Sequence, residues 1–260
     1  MISALDHVLL RSVKFSYYPR DSSACIVGSV TLTIAKGEII VLYGPNGVGK
    51  STLLRLLSAA ITPQYGDITI FGRPPAESRI AMVWQDTYQS LFPWLSAAEN
   101  AALPLRLNGV RSAARRQRIE TLREELGFDV PLDSYPYELS GGQQQQTSIL
   151  RAFAADYDLL LLDEPTSSLS IDLTFKFLGY LQSLIERCPI SVILVTHSPE
   201  IGAFVGDKIV SLRHRPLCCS DSDVHVVECP YERPRPLEWL TDHRLREYVR
   251  RIGAGSEQTP

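Results

Sequence analysis

Stretches of β-favouring apolar residues near the N-terminus give way to apolar positions at helical spacing. The stretches at 8–18 (VLLRSVKFSYY) and 25–35, with the short DITIFG run at 67–72, favour extended backbone and predict an antiparallel sheet. Between them, EIIVLYG (38–44) is a continuous apolar run ending on glycine, and the following KSTLLRLLSAA carries apolar residues at helical spacing. This predicts a strand–loop–helix unit. From about Pro93 to Pro136 the chain is rich in Ala, Leu, Arg and Glu, and RSAARRQRIETLREELG predicts a polar-faced helix stopped by Gly127. After residue 150, buried strands at 158–165 (DLLLLDEP), 191–197 (SVILVTH) and 208–212 (KIVSL) alternate with a helix at 174–188. Strands alternating with helices predict an α/β fold with a parallel sheet covered on both faces. From Arg213 the chain is rich in Pro and Cys, then ends in the helix-like LTDHRLREYVRRI and a GAGSEQTP run expected to be disordered.

Charge and composition narrow the function classes. The formal net charge of -3 over 260 residues gives no global pull toward nucleic acid or anionic lipid. The arginines of the 111–127 helix are interspersed with Glu120, Glu124 and Glu125, which marks a solvated face. No apolar run approaches the roughly 18 residues of a membrane-spanning helix. The first 15 residues meet Asp6, Arg11 and Lys14 too early for a signal peptide. The expectation is a cytoplasmic protein whose membrane role, if any, comes through a partner. Five cysteines without a CxxC pair or matched histidines predict reduced thiols and no zinc site.

Gly44-Pro45-Asn46-Gly47-Val48-Gly49-Lys50-Ser51 fits GxxxxGK[ST], between a predicted strand and a predicted helix. Glycines let the backbone wrap phosphate oxygens closely, and consecutive N–H groups at a helix N-terminus favour an anion. Lys50 supplies a cation to the β and γ phosphates of ATP, and the Ser51 hydroxyl a ligand for Mg²⁺. Asp163 and Glu164 end the DLLLL strand, where ligands bind in a parallel sheet. Asp163 would hold Mg²⁺; Glu164 would orient or deprotonate the attacking water.

Leu139-Ser140-Gly141-Gly142-Gln143 precedes this acid pair. With GPNGVGKST and LLLLDEPTS, the order resembles the nucleotide-binding subunits of ABC (ATP-binding cassette) transporters. LSGGQ is the specific element, and its physics is legible: a hydroxyl and backbone donors open a helix at 143–155, a second anion site. The resemblance implies a P-loop cassette with a RecA-like parallel core, an N-terminal antiparallel β subdomain and a helical signature subdomain at about 86–155. The ATPase domain would span 1–215 and a C-terminal tail 216–260. It implies that Ser140, Gly141, Gly142 and Gln143 complete the ATP pocket of a second cassette subunit, so that a homodimer sandwiches two ATP molecules. Thr52 joins the nucleotide contacts. Tyr17, or Tyr18 in its place, resembles the aromatic that stacks on adenine. Gln85, after IAMVW, resembles the glutamine that reaches Mg²⁺ and the attacking water. His197 resembles the histidine at the γ-phosphate; His7, His214, His225 and His243 have no such context.

The partners implied are transmembrane permease subunits and, indirectly, an extracytoplasmic solute-binding protein, with the chain peripheral on the inner face of the cell membrane. Leu91-Phe92-Pro93-Trp94 with Asn100, and the VVECPYERPRP tail, resemble the nitrate, sulfonate and taurine importer ATPases. A soluble DNA-handling ABC ATPase is disfavoured, because the interval from Gln85 to Leu139 lacks the sustained heptads of a coiled coil. Two positions depart from the pattern. Ser170 stands where a carboxylate usually follows the acid pair, and Gln146 where arginine is usual, while Arg151 is kept. These departures bear on hydrolysis rate and on communication between sites. They also allow a weakly active cassette that depends on a more competent partner.

Overall fold

Strands buried on both faces build the centre of the molecule. A computed structural model describes residues 4–18, 25–188, 190–212, 217–218, 224–236, 238–239, 243–245 and 247–250. β3 (Ile39–Tyr43), β5 (Ile80–Val83), β6 (Leu159–Asp163), β7 (Ser191–Val195) and β8 (Lys208–Leu212) run parallel, and β10 (Val224–Glu228) adds antiparallel to β8. The order is β10-β8-β3-β7-β6-β5. Successive residues of each strand feed opposite cores, as the two-residue period of a strand demands. Val41, Leu160, Leu162, Val192 and Leu194 enter one core. Leu42, Leu159, Leu161, Ile193 and Val195 enter the other.

The second core is roofed by the N-terminal sheet and α1 (Lys50–Leu57), which buries Leu53, Leu54, Leu56 and Leu57. That sheet comprises β1 (His7–Ser16), β2 (Cys25–Ala35), β4 (Tyr65–Ile70) and β9 (Leu217–Cys218), in the order β4-β1-β2-β9. Its first three strands are antiparallel, and β9 joins β2 in parallel.

The opposite core is covered by helices. α5 (Ser112–Leu126) turns Ile119, Leu122 and Leu126 inward and is closed by Gly127 at φ 66. The short α2 (Thr87–Ser90), α3 (Ala97–Ala101) and α4 (Leu103–Leu107) lead into it. α6 (Gly141–Phe153) and α7 (Ile171–Arg187) both start earlier than their apolar periodicity suggests, because Ser140 and Ser170 cap their first turns. α8 (Pro199–Val205) was not expected, although the Ser198 cap and Pro199 at its first position are a start signal. No helix of the described residues is long and apolar enough to cross a membrane.

Described residues near the C-terminus join this core. Trp239, Leu245 and Tyr248 are buried in the helical core. Residues 243–245 and 247–250 are helical, while residues 253–260 and His214 lie outside the described residues. Arg235, only 4% exposed, sends Nη1 to the carbonyls of Ala203, Phe204 and Gly206 at 3.0–3.1 Å. A cation so satisfies the otherwise unpaired carbonyls ending α8. Its own backbone N–H donates to Gln182 Oε1 at 2.8 Å. Arg235→Ala is therefore expected to cost about 2–4 kcal/mol, since buried carbonyls lose their donor. A lowered urea midpoint with unchanged slope measures it.

Candidate nucleotide site

The cradle is the turn between β3 and α1, at the carboxyl end of the parallel sheet. Gly44 has φ 154, and a Cβ there would collide with the Leu212 backbone carbonyl on β8. Gly49 caps α1 in the left-handed region at φ 108 and makes no side-chain cap hydrogen bond. Lys50 is 6% exposed, and its Nζ donates to the carbonyls of Gly44 at 2.7 Å and Pro45 at 3.0 Å. Val48 is 1% exposed and packs in the core beneath, so it anchors the loop.

One cleft of about 420 Å³ gathers Tyr17, Asn46, Gly47, Gly49, Lys50, Ser51, Thr52, Gln85, Asp163, Glu164 and His197. Gly44 and Pro45 meet it through their carbonyl contacts to Lys50, and Val48 lies in the core. Tyr17 is held over the cradle by its hydroxyl, which lies 3.4 Å from Thr52 Oγ1 and accepts from Arg55 Nη1 at 3.2 Å. Its ring meets Phe15 edge-on at 4.9 Å. Tyr18 does not line the cleft and is 72% exposed. Ser51, Gln85 and Asp163 also line an adjoining recess with Trp84 and Ser90, at the seam between sheet and helical region. Arg151 crosses that seam, its Nη1 donating to the Ser90 carbonyl at 2.7 Å.

Asp163 ends β6, hydrogen-bonded to Ser51; burial outweighs that bond and raises its pKa. Glu164 lies in the left-handed region at φ 49, uncommon for a non-glycine residue, with its N–H donating to Val195 O at 3.1 Å. Burial, then repulsion from Asp163, pushes its carboxyl up to about 7. Oε1 lies 3.2 Å from His197 Nε2, within ion-pair range but without the alignment of a hydrogen bond. His197 has its pKa lowered by burial and by Lys50, which favours its neutral form. A buried, unsatisfied carboxylate oxygen facing a phosphate cradle suits a proton acceptor, and the Ser51–Asp163 oxygen pair suits Mg²⁺.

A sign follows from Glu164. A carboxyl accepts a proton only when ionised, so any turnover that uses Glu164 as its base is expected to rise about tenfold per pH unit below about 7 and then to level. Stability runs the other way. The unfolded chain ionises from about 4.5, so the native state loses stability between about 4.5 and about 7. A pH series of thermal melts on the parent and Glu164→Gln checks the stability half, because the variant lacks that slope, and a pH series of phosphate release by the parent checks the turnover half.

Ser140 to Gln143 lie apart from this cleft. Ser140 caps α6, its Oγ accepting from Gln143 N at 3.3 Å while Gln143 Oε1 accepts from Ser140 N at 3.1 Å. Gly141 faces open space. Of the sequence-predicted site residues, these four are the ones a single chain does not bring to the cradle.

A family model described as ABC transporter matches residues 27–167. The chain belongs to the ABC transporter family. Methionine import ATP-binding protein MetN of Brucella abortus (strain 2308) is 35% identical over 198 residues, 72% of this cassette and 53% of that protein. ABC transporter ATP-binding protein YtrE of Bacillus subtilis (strain 168) is 35% identical over 198 residues, covering 73% and 86% respectively. The dimeric ATP-binding cassette MJ0796, in a post-hydrolysis state with ADP and Pi, shares 28% identity and a TM-score of 0.72, over 82% of this cassette and 100% of that chain. The chain thus spans about half the length of MetN and most of YtrE.

The cassette's two departures have local structural explanations. Ser170 caps α7, its Oγ accepting from Leu173 N at 3.4 Å, work that Asp does equally well. Gln146 is 3% exposed; its Oε1 accepts from the amides of Asp129 and Val130 at 3.1 and 3.0 Å, and its Nε2 donates to Asp129 Oδ1 at 2.8 Å. Arg55, which orients Tyr17, was not expected; it stands three residues after Thr52 on the same face of α1, which is the signal that reveals it.

Proposed function

We propose that this cassette binds and hydrolyses MgATP between two copies of the chain and powers solute import through permease subunits at the inner face of the cell membrane. The observation that carries this is a split. Lys50, Ser51, Gln85, Asp163, Glu164 and His197 share one cleft, while the anion-binding helix start at Ser140 lies outside it. A second copy supplies the missing half. In that arrangement Ser51, Asp163 and Gln85 would hold Mg²⁺, which would supply neutralisation of phosphate charge when bound. Lys50 and the cradle amides hold those phosphates, and Tyr17 offers its ring to adenine. Water attacks the γ-phosphorus in line, and the bond to the β–γ bridging oxygen breaks. Glu164 Oε1 takes the water proton, while neutral His197 steadies the γ-phosphate by hydrogen bonding.

Import is supported by the name of MetN and by the surface after Gln85. Asn100, wholly buried, accepts from Phe92 N at 2.8 Å and donates to the carbonyls of Phe92 and Leu95 at 3.0 and 2.9 Å. The pinned turn leaves Trp94 69% exposed against Phe92, an apolar knob for a permease helix. Leu91 to Trp94 with Asn100 are the grounds for the nitrate, sulfonate or taurine type. A solute-binding protein outside the membrane would deliver the solute, and nucleic acid has no part. The ATPase domain is read as 1–215, the helical subdomain as about 86–155, and the tail as 216–260.

Phosphate release by the purified chain, alone and with a permease pair, tests the proposal. Metal-dependent release supports it; no release in either preparation, with ATP bound, contradicts it. Ser170 favours a second reading, a weakly active or regulatory cassette that needs a different partner ATPase. Release only after a second, distinct cassette is added would select that reading.

A further inference from the structure

Four consecutive glutamines, Gln143 to Gln146, occupy the first turns of α6, and each has a different task. Gln143 completes the cap with Ser140. Gln144 sends Nε2 to the carbonyls of Pro136 at 2.9 Å and Leu139 at 3.3 Å. Gln146 holds Asp129 and Val130. Gln145, 1% exposed, sends Nε2 to the Pro165 carbonyl at 2.9 Å. Successive helical side chains diverge by about 100°, so three buried neighbours reach three separate segments. A buried carboxamide is costly unless bonded, and an apolar side chain fills a helix core more readily. Three in a row mark a place where direction matters more than burial.

Pro165 directly follows Glu164, whose left-handed backbone needs support from its surroundings. The loop beyond is a tight turn, with Ser167 N donating to Glu164 O and Leu169 N to Thr166 O. α6 touches this loop a second time. A Cβ at Gly142 would come within 2.9 Å of the Ser168 carbonyl, so the helix start and the loop are in close contact there. The two contacts, at Pro165 and Ser168, lie one helical turn apart on α6.

We propose that Gln145 is a positioning residue for Glu164, tying the signature helix of a chain to that same chain's carboxylate loop. The proposal rests on the reading above, in which the signature serves the nucleotide of the second copy. Each chain's signature then touches one nucleotide while its Glu164 acts on the other. Gln145 links the two within one chain, by a route that does not need the interface carboxylate absent at Ser170.

Gln145→Met keeps the length and burial of the side chain and removes the donor. Hydrogen exchange of the nucleotide-free chain is expected to be about tenfold faster at Glu164, Ser167 and Leu169 in this variant, with the amides of residues 44–51 unchanged. Gly142→Ala, which pushes on Ser168 from the other contact, is expected to loosen the same amides, and it serves should the methionine variant not fold. In turnover, Gln145→Met is expected to lower kcat about tenfold with KM for ATP within twofold, because the cradle is untouched. Unchanged exchange at those three amides in the folded variants overturns the proposal. So does a lower Tm with kcat per folded molecule intact, which is what a merely structural role gives. If the parent chain shows no turnover either alone or with the permease pair, the proposed function fails, and the exchange measurement still decides this inference.

Discussion

Glu164→Gln is expected to lower MgATP turnover by about 10³-fold while leaving ATP affinity within a fewfold of the parent. The substitution keeps the shape of a side chain that is 8% exposed, and it removes the carboxylate whose Oε1 is buried without a hydrogen-bond partner in the cleft. General-base removal typically costs 10²- to 10⁴-fold. His197 does not replace it, because burial and Lys50 hold its pKa down and its side chain is nearly half exposed. The cradle contacts of Lys50 are unaffected, so binding persists while chemistry stops. Radiometric phosphate release beside a nucleotide titration separates the two effects. Equal losses in both would place Glu164 in binding instead.

The second large effect is at Lys50. Lys50→Ala is expected to weaken ATP binding by about 10²- to 10³-fold, since truncating one partner of a buried charged contact costs about 2–5 kcal/mol. Lys50 is nearly buried and pinned to Gly44 and Pro45, so its ammonium is already aimed into the loop and loses little entropy on meeting a phosphate. The same contacts brace the cradle in the free chain, so the variant also lowers Tm. Calorimetric titration with ATP reads the affinity. Parent-like affinity would mean that phosphates are held by backbone amides alone.

Much of this was legible in the sequence because local chemistry and global fold agree there. The glycine turn, Lys50 and the DLLLLDE strand end each demand one backbone geometry, and the parallel sheet places their ends together. Which of Tyr17 and Tyr18 lines the cleft was not legible. Tyr17 is the one that does, and its hydroxyl meets Thr52, 35 residues away in the chain, and Arg55 on the same helix. The glutamine run was opaque for a similar reason. Polar residues on a helix give no inward period, and only the packing of α6 shows that Gln144, Gln145 and Gln146 face three different segments. α8 escaped notice because it is a single seven-residue helix with apolar residues at most positions, which resembles a strand. The Pro-rich tail reads as loop, yet Arg235 is drawn inward by unpaired carbonyls of α8 that no local pattern reveals.

The most direct test of the two-copy site is the mass of Glu164→Gln in solution by light scattering, with and without MgATP. The account predicts single chains without nucleotide and a mass twice as large with MgATP, reverting to single chains when Ser140→Arg is added to the same protein. A mass that stays at one chain while ATP is bound would contradict it, because the signature of a second copy would then not be completing the nucleotide site.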